Sequence, residues 1–290
     1  MQRLETVEAL RRWRRSRPGR VALVPTMGAL HEGHLTHVDL ARRHADDVVV
    51  SVFVNPTQFG PHEDFERYPR TLDADVAASA ERGASAVFCP AVDEVYPPGV
   101  PDAAVDVPAL TGELEGAFRP GHFQGVCRVV TKLLLMTDPD FATFGRKDLQ
   151  QLRVVQAMVR DLAIDVEILE APTVREADGL ALSSRNRYLS DDARQRALGV
   201  SRSLEQARRT LAERGEMPAA ELEARLQAAL SGGGLEVDYA VVRDAAWLGV
   251  IDTVSVDGPA AVGVVTVRIE NTRLLDNLLL NRPDPTYRER

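Results

Sequence analysis

At 290 residues the chain exceeds a typical single domain, so one large domain or two unequal ones are expected. Hydrophobic residues make up 44% and charged residues 27%, ample for a core, while a formal charge of −8 excludes a broad nucleic-acid surface, which needs a basic face. Small anions stay open, because a few local cations and backbone N–H groups hold them whatever the bulk charge.

No apolar run is long enough to cross a bilayer, and Met1–Glu5 carries acid early with no apolar h-region. Only Cys89 and Cys127 are present, far apart, which argues against a disulfide framework or a zinc ribbon. A cytoplasmic setting, without membrane or nucleic-acid partners, is the expectation.

In chain order, Leu4, Val7, Leu10 and Trp13 recur at a helical interval, and Pro18-Gly19 stops that helix. Val21–Val24 reads as a buried strand ending in Pro25-Thr26-Met27-Gly28, with a helix from about Gly33 to Ala45. Val48–Val54 is a second apolar strand, stopped by Asn55-Pro56. A helix over Thr71–Arg82 and a strand at Ala86–Cys89 follow. Then come a helical stripe over Gly125–Met136, a short strand at Phe141–Phe144, a helix over Lys147–Leu162 and a strand at Val166–Leu169.

Continuous apolar strands alternating with helices predict a parallel sheet covered on both faces, with ligands at the carboxyl ends of its strands. Beyond about Pro172 the texture changes. Helical stretches at Asp191–Arg214 and Ala219–Leu230 lead through Gly232-Gly233-Gly234 to strands near Tyr239–Val242 and Val262–Ile269. A Rossmann-like α/β domain over 1–173 and a smaller α+β domain over 174–290 are expected, with a loose tail at Arg282-Pro283-Asp284-Pro285.

The most informative stretch is Pro25-Thr26-Met27-Gly28-Ala29-Leu30-His31-Glu32-Gly33-His34, which follows a strand and opens a helix. Two imidazoles three apart would flank a helix N-terminus, where free N–H groups and the dipole bind phosphate and the rings donate to oxygens gaining charge. Gly28 and Gly33 allow close approach of backbone and ligand. A zinc-protease helix is excluded, since that motif needs two residues between its Glu and the second His and only Gly33 intervenes here. Further Cys or His ligands for a metal cluster are lacking nearby.

His-x-Gly-His after the first strand resembles the signature of the nucleotidylyltransferase superfamily. The longer string is similar to the pantothenate synthetase family. So are Phe53–Phe59, Tyr68–Thr71, Phe144–Leu152 and Asp178–Asn186, in the family's order and spanning most of the chain to about Leu189. The resemblance implies ATP-dependent joining of pantoate to β-alanine through pantoyl adenylate, with AMP and pyrophosphate released. It also implies a homodimer.

It further implies that Met27, Gly28, Ala29, Leu30, His31, Glu32, Gly33 and His34 bind ATP, with both histidines at the α-phosphate. His34 is the family's proton donor, although the chemistry suits both rings as stabilisers of charge built up at phosphorus. Asn55, Gln58 and Gln151 would bind pantoate. Gly145 would allow close approach, Lys147 would reach the triphosphate and Asp148 the ribose. Gln151, four residues after Lys147, would share its helix face. Arg146 stands where the family has Glu or Gln, and is expected to point away from the reacting centre.

Val174 matches a backbone contact to adenine, Leu182 falls in the ATP-binding set, and Ser183, Ser184 and Arg185 match a mobile phosphate-binding loop. Mg²⁺ would ride on the phosphates with few protein ligands, Asp75 being a weak candidate. Water must be kept from the mixed anhydride, so the Asp178–Tyr188 junction and the C-terminal domain are expected to act as a lid. The rivals are another His-x-Gly-His adenylyltransferase, which would lack the paired glutamines and the Ser-Ser-Arg loop, and a non-catalytic nucleotide-binding regulator. Retention of His31, His34, Lys147 and Arg185 speaks against the regulator. A tRNA synthetase is disfavoured by the acidic balance.

Overall fold

The computed structural model describes residues 1–61, 63 and 65–283, so the tail expected to be loose lies outside them from Asp284 onward. The chain divides into two compact units. One comprises Met1–Arg146 and Gln150–Ala171; the other comprises Lys147–Leu149 and the chain from Pro172.

The first unit opens with β1 (Gln2–Leu4) and α1 (Val7–Arg15), then β2 (Val21–Thr26), α2 (Glu32–Arg42), β3 (Asp47–Val52), α3 (Leu72–Glu81) and β4 (Ala86–Phe88). Three single turns follow, α4 (Val92–Val95), α5 (Pro108–Thr111) and α6 (Glu115–Phe118). After them come α7 (His122–Thr137), β5 (Phe141–Gly145), α8 (Leu149–Asp161) and β6 (Glu167–Ala171). The strands form a parallel sheet of order β1-β4-β3-β2-β5-β6. Its centre is apolar on both faces: Val21–Val24, Val48–Val50 and Ala86–Phe88 are all buried. That is why these stretches read as continuous rather than alternating runs. The order turns at β2, which pairs with β3 on one flank and with β5 on the other. A ligand crevice is expected outside the carboxyl ends of the two strands at such a switch.

Two local readings are corrected. Leu4 fits the helical interval but lies in β1, paired with Phe88. Thr6 is extended and accepts the amide of Ala9, so this cap starts the helix after Leu4. Lys147 does not stand on α8, because Arg146–Asp148 form a 3₁₀ turn and the α-helix begins at Leu149. The four-residue α spacing that was to align Lys147 with Gln151 therefore does not apply.

The second unit contains α9 (Asp191–Arg214), β7 (Glu216–Pro218), α10 (Ala219–Gly232), β8 (Glu236–Asp244), β9 (Thr253–Ser255), β10 (Ala261–Ile269) and β11 (Thr272–Leu279). Antiparallel β11-β10-β8 and the pair β7-β9 pack with α9 and α10 around Leu204, Leu211, Leu222, Leu226 and Val265. A methyl at Gly263 would come within 2.9 Å of the Leu204 side chain, so its absence lets α9 approach β10 closely. Strand β11 is absent from the sequence reading. Its run Arg273-Leu274-Leu275-Asp276-Asn277 lacks β-branched residues, and a tight Glu270-Asn271 turn with Glu270 at φ +51° brings it back onto β10. Among the described residues no helix is long and apolar enough to cross a membrane.

Candidate active site

The carboxyl end of β2 runs into a loop held by one buried side chain. Asp75, on α3 and 2% exposed, accepts the amides of Ala29 at 3.1 Å and Leu30 at 2.8 Å. The Thr71 hydroxyl donates to the same carboxylate. Thr26 receives the Gly28 amide and donates to the Ser51 carbonyl, tying the loop to β3. Gly28 has φ +86°, and a Cβ there would meet Asp75 Oδ2 at 2.9 Å and Val52 at 3.0 Å. Ala29 also adopts positive φ, +52°, a strained conformation for a residue with a side chain.

This loop delivers His31 to the N-cap of α2 and His34 to its third helical position, with ring centroids 4.0 Å apart and stacked. His34 Nδ1 accepts the His31 amide at 3.3 Å. The neutral His34 ring therefore carries its proton on Nε2, as a donor near the start of the helix, where the His34 and Leu35 amides already bond the His31 carbonyl. The Glu32 carboxylate is engaged by Arg82 at 2.6 Å, so its charge is offset where it stands. Next along α2, His37 Nδ1 lies 3.2 Å from the Thr143 hydroxyl on β5.

After β3 the chain makes a 3₁₀ turn, Pro56–Gln58. Asn55, 1% exposed, accepts from the Thr57 amide and hydroxyl and from the Tyr96 hydroxyl. Its amide donates to the Gly125 carbonyl and to Gln58 Oε1 at 2.9 Å. With bonds at both ends inside the protein, Asn55 orients Gln58. Gln58 Oε1 is thereby occupied, and its Nε2 donates one hydrogen to the Met27 sulfur at 3.3 Å, leaving the other to donate. Gly125 on α7 permits this packing, since a Cβ there would sit 2.2 Å from the Thr57 carbonyl oxygen. Gln151 on α8 is half-buried. Its neighbour Gln150 is buried and clamped to Leu110, Glu113 and Glu115.

At the end of β5, Gly145 leads into Arg146, whose guanidinium lies 3.7 Å from Glu170. Lys147, Asp148, Val174, Leu182, Ser183, Ser184 and Arg185 belong to the second unit. The Lys147 ammonium is 3.7 Å from Asp148, and its backbone carbonyl accepts from Asn277 on β11. The Leu182 amide donates to the Val174 carbonyl, closing a hairpin whose Arg175 makes a bidentate pair with buried Asp276 at 2.6 and 2.9 Å. Ser183 caps the 3₁₀ turn Ser184–Tyr188 by accepting the Arg185 amide. Successive residues of β11 thus hold the Lys147 backbone and the base of the Ser-Ser-Arg loop. Sequence reasoning missed both, and Asp-Asn inside an apolar run was the available signal.

Asp75 is fully engaged by the loop and unsuited to the metal role weighed for it. Among the described residues no three His, Cys, Asp or Glu side chains cluster as metal ligands. Burial pushes the Cys127 thiol up to about 12, so at neutral pH it holds no thiolate for covalent chemistry. Burial, reinforced by neighbouring Arg119, pushes His122 down to about 4, against the smaller opposing effects of the Gln58 carbonyl, Glu63 and Glu115.

Residues 2–279 match the family model described as pantoate-beta-alanine ligase. A pantothenate synthetase of Nocardioides sp. is 50% identical over 272 residues, 92% of this chain and 80% of that protein. One from Pelotomaculum thermopropionicum is 45% identical over 280 residues, 96% of this chain and 98% of its own length. The crystal structure of pantothenate synthetase from Thermus thermophilus superposes with a TM-score of 0.90 at 45% identity, covering 97% of this chain and 100% of that one. Pantoate-beta-alanine ligase from Francisella tularensis, crystallised with beta-gamma ATP and beta-alanine, gives 0.81 at 29% identity over 98% and 99% of the two chains.

Two outcomes follow from this geometry. Asp75→Ala strands the Ala29 and Leu30 amides and is expected to lower the unfolding free energy by about 2–4 kcal/mol in urea, whereas Asp75→Asn, retaining a carbonyl acceptor, loses about half as much. Equal losses would contradict the anchoring role. His122 has a folded value below its unfolded 6.5, so as pH falls the unfolded chain takes up the proton first. Its contribution is full above pH 6.5 and lost by about pH 4, in total about 3 kcal/mol. The stability gap between wild type and His122→Asn should shift by that amount in urea titrations across the window, and parallel curves would contradict the buried neutral ring.

Proposed function

The chain belongs to the pantoate–β-alanine ligase family, and we propose that it condenses pantoate with β-alanine through a pantoyl-adenylate intermediate, using Mg-ATP. The observation that carries the reading is the His31–His34 pair, set on a helix N-terminus at the sheet's switch strand with its Nε2 proton placement fixed.

In the first half-reaction a pantoate carboxylate oxygen attacks the α-phosphorus. A new P–O bond forms as the bond to the bridging oxygen breaks, and pyrophosphate departs with the electron pair. Charge builds on the non-bridging and leaving oxygens, where His34 Nε2–H, His31 and the amides of Glu32 and Gly33 donate. Met27, Gly28, Ala29 and Leu30 complete the nucleotide loop, and Gly145, Arg146, Asp148, Val174 and Leu182 line the rest of the nucleotide. Lys147, Ser183, Ser184 and Arg185 hold the β- and γ-phosphates with Mg²⁺, which travels as part of the substrate.

Gln58 and Gln151 hydrogen-bond pantoate. The Asn55 contact to Oε1 and the Met27 contact to Nε2 leave one Gln58 amide hydrogen for the hydroxy acid. In the second half-reaction the neutral amine of β-alanine attacks the acyl carbon, the acyl–oxygen bond to AMP breaks, and the amine proton is lost. No covalent enzyme intermediate is needed, and the raised Cys127 thiol offers none. Assembly as a homodimer in the cytoplasm belongs to the same proposal and is supported by the family likeness.

Pyrophosphate release tests the reading. Mg-ATP with pantoate alone should give stoichiometric pyrophosphate, and adding β-alanine should make release catalytic and yield AMP. His34→Ala and Lys147→Ala should each slow the first step by roughly 10²–10³ without unfolding the protein. Release driven by another acid would overturn the substrate, and normal turnover in either variant would overturn the site.

A further inference from the structure

The turn that carries Gln58 is held from below by a buried polar chain. His122, the first residue of α7, places Nδ1 2.9 Å from the Gln58 carbonyl oxygen. On the other side of the ring, Nε2 lies 3.1 Å from Arg119 Nη1. A guanidinium can only donate, so Nε2 is the acceptor and the proton stands on Nδ1, which donates to the Gln58 carbonyl. Arg119 is itself fixed by Glu63 through two bonds, Nε to Oε1 at 2.7 Å and Nη2 to Oε2 at 2.5 Å. It also reaches the Gln58 carbonyl at 3.5 Å. Three residues further along α7, Gly125 meets the same turn through its close backbone contact.

We propose that His122 is a positioning residue for pantoate recognition: its Nδ1–H fixes the Gln58 backbone, and the Glu63–Arg119 pair fixes the tautomer that allows it. The inference rests on the reading of Gln58 as a pantoate ligand. Gln58 is then held at its side-chain oxygen by Asn55, at its main-chain oxygen by His122 and through one amide hydrogen on the Met27 sulfur, so its second amide hydrogen is aimed before substrate arrives. Such pre-orientation lowers the cost of ordering on binding. A neutral imidazole suits the place, since a cationic donor there would face Arg119 directly. Asparagine is the informative substitute, because its Nδ2 lies close to where the histidine Nδ1 stands.

The test uses steady-state kinetics of the whole chain, with KM for pantoate and for ATP measured separately in wild type, His122→Leu, His122→Asn and Gln58→Ala. His122→Leu is expected to raise the pantoate KM about tenfold, the effect of one lost hydrogen bond, with the ATP KM and kcat within about twofold. His122→Asn should recover most of that loss. Equal changes in both KM values, an unchanged pantoate KM in His122→Leu, or no recovery in His122→Asn would overturn the proposal.

Gln58→Ala separates the two layers. An unchanged pantoate KM there would remove the Gln58 reading itself, whereas a raised one beside an unaffected His122→Leu would remove only the present inference. Should His122→Leu fail to fold, ¹⁵N spectra of histidine-labelled wild type, assigned through His122→Asn, decide the matter. A protonated Nδ1 and bare Nε2 at neutral pH are expected, and the opposite tautomer would overturn the proposal.

Discussion

A buried carboxylate has to find donors, and Asp75 finds them in the loop that ends the switch strand. That requirement reaches outward through the site. To present the Ala29 and Leu30 amides to one carboxylate the loop turns through positive φ at Gly28 and Ala29. A side chain at position 28 would collide with the carboxylate. Glycine there and aspartate on α3 therefore require each other. The strain at Ala29, about 1–2 kcal/mol, is offset by bonds to a charged acceptor. Only with the loop so held does His31 fall at the helix start, one turn from His34.

The same logic recurs within each unit: several of the groups proposed to meet substrate are oriented by a neighbouring group. The His31 amide sets the His34 tautomer, Asn55 sets the face of the Gln58 amide, and Asn277 holds the Lys147 backbone. Catalysis by charge stabilisation depends on such preparation, because dipoles already aligned need not reorganise as the phosphorus centre gains charge. A net charge of −8 does not stand against an ATP-dependent reaction. A few cations suffice for a small anion, because their field at short range outweighs the screened bulk charge.

Much of this was legible in the sequence, for definite reasons. The apolar runs at Val21–Val24 and Val48–Val50 are strands buried on both faces, and the histidine string opens the helix it was expected to open. Helix α9 spans Asp191–Arg214 as read, because Ser190 caps its start and Gly215, at φ +76°, ends it. What escaped notice depends on partners distant in sequence. An amide after a strand is chemically apt for a ligand, and nothing local in the sequence reveals that Asn55 also bonds Tyr96 and Gly125. Asp75 looked like a loose metal candidate until its distance from residues 29 and 30 vanished in the fold. His122 was passed over for the same reason: a lone histidine before an apolar stripe carries no sign of Arg119 and Gln58 around it.

Attack of the pantoate carboxylate on the α-phosphorus is the central claim, and oxygen tracing tests it most directly. Pantoate labelled with ¹⁸O in its carboxylate, turned over with unlabelled ATP and β-alanine, should deliver one labelled oxygen to AMP and leave pyrophosphate unlabelled. Label in inorganic phosphate or pyrophosphate, or none outside pantothenate, would contradict the adenylate path and with it the role given to the α2 N-terminus.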